Sequence, residues 1–153
     1  MKRLVSLWQL ELAAAVALLG YPLSPRSAPA DLNLQAQLVW GTNNEKPDDP
    51  KLKDVDPQVK DKLRGVFKWK NYFEVNRKNF TVAATGAKKI KMSDLCEIEV
   101  QNLGSSSIEV KLYGNGKMVV RKTQKIRPNE LLVLAGDDKN DTAWFVVLTQ
   151  SEK

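Results

Sequence analysis

The chain has 153 residues, and its 24 Lys and Arg against 18 Asp and Glu give a formal charge of +6. It contains no histidine and a single cysteine, Cys96. Those absences exclude Ser-His-Asp and Cys-His nucleophile activation, His-ligated zinc or copper, thiolate zinc centres and any intramolecular disulfide.

The first 30 residues follow the order of an export signal. Lys2 and Arg3 form a basic start, an apolar run spans Leu12 to Leu19, and Ala28-Pro29-Ala30 supplies a small-x-small cleavage site before Asp31. The alternative is an uncleaved membrane anchor. Gln9 and Glu11 interrupt the apolar stretch, however, and a spanning helix needs about 20 predominantly apolar residues. The expectation is a signal peptide over 1–30 and a single β-rich domain over 31–153, with no stable membrane span after signal removal. Its expected location is periplasmic or extracellular. A chain of that length buries a core without covalent staples.

Leu32 to Trp40 alternates apolar and polar residues with period two, the mark of a half-buried strand. The polar segment Thr42–Asp56, broken by Pro47 and Pro50, reads as a long surface loop. Asp56 then suits a helix N-cap and Pro57 the first helical position, while Gly65 suits the end. Val59, Leu63 and either Val66 or Phe67 give that helix one apolar face. Phe67, Trp69, Phe73 and Val75 fall on alternate positions and suggest an extended segment; a helix prolonged through Tyr72 is the alternative.

From Phe80 onward the pattern is β, with strands expected at Phe80–Ala84, Lys89–Met92, Leu95–Leu103, Ser107–Tyr113, Lys117–Ile126, Leu131–Ala135 and Thr142–Thr149. In the first hairpin, Leu103 opposite Ser107 sets Ile98 against Leu112, Val100 against Val110 and Glu99 against Lys111. In the second, a Gly114-Asn115-Gly116 turn with Tyr113 opposite Lys117 sets Leu112 against Met118 and Glu109 against Arg121. Leu131–Leu134 and Ala143–Leu148 are apolar on both faces, as suits strands covered by two layers. The fold class is mainly β: an antiparallel sandwich or partly open barrel of about seven to nine strands with one short helix.

Chemistry is sparse. The stretch Phe67-Lys68-Trp69-Lys70-Asn71-Tyr72-Phe73 interleaves aromatic and basic residues. If exposed, Trp69 and Tyr72 stack on sugar rings or bases while Lys68 and Lys70 meet anionic groups. The plainer reading turns Phe67, Trp69 and Phe73 into the core and leaves the lysines solvated. Asp137–Thr142 is dense in oxygen ligands but lacks the glycine and bidentate glutamate of a calcium loop, so no metal or cofactor is expected. Glu97 and Glu99 share a strand face at about 7 Å, a separation that paired glycosidase carboxylates also use. Lys88, Lys89, Lys91, Lys117, Lys122 and Lys125 fit the protection of strand edges. Cys96, between Leu95 and Ile98, reads as a small buried hydrophobe.

The expected function is that of an exported, non-catalytic β domain that binds a macromolecule or serves as an assembly component. Its partner is an anionic or carbohydrate envelope polymer, or a protein, rather than nucleic acid. The expected binding residues are Lys68, Trp69, Lys70 and Tyr72. The alternative is a carboxylate-based carbohydrate-active enzyme or an enzyme inhibitor, with its carboxylates near the Thr42–Asp56 loop.

Overall fold

Leu32, Leu34, Ala36 and Leu38 are buried in turn along β1 (Leu32–Thr42) of the computed structural model, which describes residues 28–139 and 142–151. Most of the expected signal peptide lies outside the described residues. So do the side chains on which a calcium reading of 137–141 rests. After β1 come β2 (Lys53–Asp54), α1 (Pro57–Val66), β3 (Asn71–Val82), β4 (Ala87–Lys91), β5 (Cys96–Gly104), β6 (Ser107–Gly114), β7 (Lys117–Lys125), β8 (Leu131–Lys139) and β9 (Thr142–Gln150).

These strands form two antiparallel sheets that do not close into a barrel. The first has the order β2-β3-β1-β9-β8 and the second the order β4-β5-β6-β7. Alternate residues of β1 and β9 point to opposite faces, so the first sheet serves two cores. Leu34, Leu38, Val146 and Leu148 face the second sheet, where Ile98, Val100, Ile108, Val110 and Leu112 are fully buried. Val39, Phe145 and Val147 face the other way, against Val59 and Leu63 of α1. Each such aliphatic side chain contributes about 1.5–3 kcal/mol on burial. The apolar-on-both-faces pattern of β9 follows from its place between β1 and β8, under a helix on one side and a sheet on the other.

Several local expectations are corrected. The residues at 71–82 form one long strand, so Phe80–Ala84 is not a separate element; the expected extended conformation at Tyr72 holds, and the helical alternative does not. A bulge shifts the β1–β3 register between Leu38 and Val39, leaving Val75 without an opposite residue. Asp56 makes no side-chain cap to α1; its carboxylate instead accepts hydrogen bonds from Gln37 (3.1 Å) and Arg77 (2.9 Å). Gly65 lies inside the helix, which runs to Val66.

In the β5–β6 hairpin Ile98, Glu99 and Val100 meet Leu112, Lys111 and Val110 as expected. Leu103 is bulged out, however, and Gly104 pairs with Ser107. The β6–β7 register is different from the expected one: Gly114 pairs with Lys117, Tyr113 with Met118, and Leu112 with Val120. Asn115 (φ 51°) and Gly116 (φ 74°) supply the two left-handed residues of a two-residue turn, and a bulge follows near Val119. Glu109 and Arg121 still form an ion pair (2.7 Å), now diagonally, because Glu109 lies opposite Thr123.

Candidate functional site

The expected aromatic and basic site does not assemble. Trp69 and Tyr72 are buried under α1, with Tyr72 donating a long hydrogen bond to the Leu63 carbonyl (3.4 Å). The Trp69 indole lies on Gly41, where any β-carbon would stand 2.9 Å from its ring. Neither aromatic face is open to a sugar or a base. Lys68 and Lys70 remain exposed, with the Lys68 ammonium 5.2 Å from the Trp69 ring centroid. Burial wins because the rings complete the core between α1 and β9, where Phe67 and Phe145 also meet with centroids 4.5 Å apart and planes tilted by 47°.

Glu97, Glu99, Glu74 and Asp56 are engaged in ion pairs. Glu97 and Glu99 lie on the outer face of the second sheet, both within 4.0 Å of the Lys89 ammonium, and Lys111 reaches Glu99 at 3.1 Å. Near the long loop, Arg77 binds both Glu74 oxygens and Asp56. The hydrogen bond that Arg77 donates to Glu74 raises the Arg77 pKa, and the one that Arg121 donates to Glu109 holds Glu109 below its ordinary value. Both shifts favour the charged forms, the reverse of what a general acid near neutral pH requires. Among the described residues no group of His, Cys, Asp and Glu is arranged to hold a metal.

An apolar opening lies at one end of the sandwich. Phe73, Trp40 and Trp144 are directly opposite one another on β3, β1 and β9, on the face that carries the main core. At this end the second sheet turns back on itself at Cys96 and Gly114, which pair with each other. A cleft of about 410 Å³ results, walled by Trp40, Trp144 and Val75 on one side and by Leu95, Cys96 and Asn115 on the other. Leu95 and Val75 are 64% and 40% exposed, and none of the lining residues is charged.

Glycine sets the position of Trp144. Its indole crosses Gly136 of β8 so closely that a β-carbon there would collide with it, and it also approaches Gly114 of β6. Cys96 is buried at the cleft floor, and burial pushes its thiol up to about 11. The thiol is therefore protonated at neutral pH and is not a nucleophile there. Sequence reading missed this cleft because Trp40 and Trp144 are far apart in the chain and meet only through the β1–β9 pairing. The available signal was a tryptophan at the end of each of two strands.

No protein-family model, curated protein or solved structure matches this chain.

Proposed function

We propose that this is an exported, non-catalytic binding domain that takes a protein partner at the end cleft. The observation that carries the reading is the uncharged cleft between Trp40 and Leu95, rimmed by exposed apolar side chains. Concave apolar sites with a few polar groups are the usual form of binding pockets, and aromatic anchors dominate protein interfaces. Ser93, Asn115 and Thr142 are the polar residues of the lining. This is little to meet the many hydroxyls of a glycan, and no lysine or arginine is present to hold an anionic polymer. An apolar side chain of a protein fits the cleft better. The pairing of Glu97, Glu99, Glu74 and Asp56 with basic side chains weighs against a carboxylate-based enzyme.

The test is site-directed photo-crosslinking in the exported fraction. A crosslinking amino acid at position 95 is expected to yield a discrete protein adduct that the same residue at exposed Thr123 does not give. Val75→Asp should abolish the adduct with the fold intact by circular dichroism. Equal labelling from both positions, or an adduct that survives Val75→Asp, rejects the cleft as the contact.

A further inference from the structure

Sheet edges present unpaired backbone groups, and proteins protect them with lysine, proline or brevity. Three of the four edges here follow that rule. β2 is two residues long, β4 carries Lys88, Lys89 and Lys91, and β7 carries Lys117, Arg121, Lys122 and Lys125. The fourth edge, β8, carries its charges only at its far end, Asp137-Asp138-Lys139; its first six residues, Leu131-Leu132-Val133-Leu134-Ala135-Gly136, have no charge and no proline. Its only strand neighbour is β9, and no turn or loop backbone among the described residues bonds to 131–135.

A slot of about 320 Å³ runs beside that edge. Lys62, Val66 and Phe67 wall it on the α1 side, and Lys122 and Gln124 of β7 wall it on the other. Leu131 and Val133 form its floor. Val66, the last helical residue, turns an apolar side chain into this space and is 66% exposed. Lys122 and Gln124 pair with Val110 and Ile108, which places them on the face of β7 turned toward the first sheet, where Lys122 stays exposed at the mouth of the slot. Neither Lys62 nor Lys122 forms an ion pair among the described residues.

From this we infer that β8 accepts an extended, acidic and apolar segment of a partner protein as a sixth strand of the first sheet. Main-chain bonds to β8 supply the pairing, Val66 and Phe67 take apolar side chains, and Lys62 and Lys122 take carboxylates. The two lysines decide between occupants. A second copy docked β8 to β8 would bring its own Lys62 and Lys122 against these, a like-charge contact, whereas an acidic strand neutralises them. The site is separate from the end cleft and stands or falls independently of it.

The test uses the whole chain and a synthetic octapeptide alternating valine and threonine with glutamates at both ends. Its control carries lysine in place of glutamate. Amide hydrogen exchange at 131–135 is expected to slow at least tenfold with the acidic peptide and not with the control. Lys62→Glu combined with Lys122→Glu, both at exposed positions, should weaken the acidic peptide at least tenfold and reverse the preference. Leu95→Asp should leave binding unchanged. No slowing at millimolar peptide, or equal binding of both peptides, overturns the inference. Protection at 131–135 that grows with protein concentration alone overturns it in favour of a second copy.

Discussion

At the residue scale, Cys96 and Asn102 show how burial changes what a side chain does. The Cys96 thiol is raised from 9.0 to about 11 by burial. Between those values the folded protein keeps the proton that the unfolded chain has lost. The raised pKa leaves stability undiminished below about pH 9 and removes about 3 kcal/mol as pH rises through 11. Urea titrations across that range should show the loss in the parent and not in Cys96→Val; matching profiles would overturn the assignment. Asn102 is buried, donates to the Ala30 carbonyl at 2.9 Å and accepts from the Gly104 amide at 3.0 Å. It thereby ties the chain entry to the β5–β6 turn. Asn102→Ala should cost about 1–3 kcal/mol, the penalty for buried polar groups left unpaired. A chain beginning at Asp31 has no Ala30 carbonyl, so its melting temperature should fall below that of one beginning at Ala28. Equal melting temperatures would show that the bond contributes nothing.

At the element scale, α1 is held by two residues. Val59 and Leu63 are buried one turn apart, while Val66 stands in solvent. Leu63→Ala removes a fully buried side chain from the core shared with Phe145 and Tyr72, and should cost about 2–5 kcal/mol in denaturant unfolding. Val66→Asp should change stability by less than about 0.5 kcal/mol. Comparable costs for the two would mean that α1 does not pack as described. The hairpins mark how far local sequence goes. Apolar alternation and the Glu99–Lys111 pair were sufficient for β5–β6, because a slip there sets like charges together. The β6–β7 pairing was not legible, since turn length and the bulge near Val119 together shift it, and Glu109 reaches Arg121 from either register. Asp56 carried a sound capping signal, yet Arg77 and Gln37 took its carboxylate; both come from strands that the sequence does not place beside it.

At the scale of the whole molecule, the first sheet is the middle of three layers, between α1 and the second sheet. Exchange of the β9 amides at Val146–Leu148 should be the slowest in the protein, since that strand has strand neighbours on both sides and cover on both faces. Fast exchange there, equal to that of the Thr42–Asp56 loop, would contradict the layering. The same architecture removes Trp69 and Tyr72 from the surface and leaves Trp40 and Trp144 half-buried along a cleft at an open end.

The sequence by itself determined the β class, the strand alternation, the helix and the chemistry that is missing, because each depends on residue type or on spacing within one segment. Tertiary structure alone decided which aromatic residues line an open cleft and which are buried, and which sheet edge begins without charge. Those outcomes depend on pairings between β1, β3, β8 and β9. The energy that selects such pairings comes from surfaces buried jointly by distant segments, so no one segment records it.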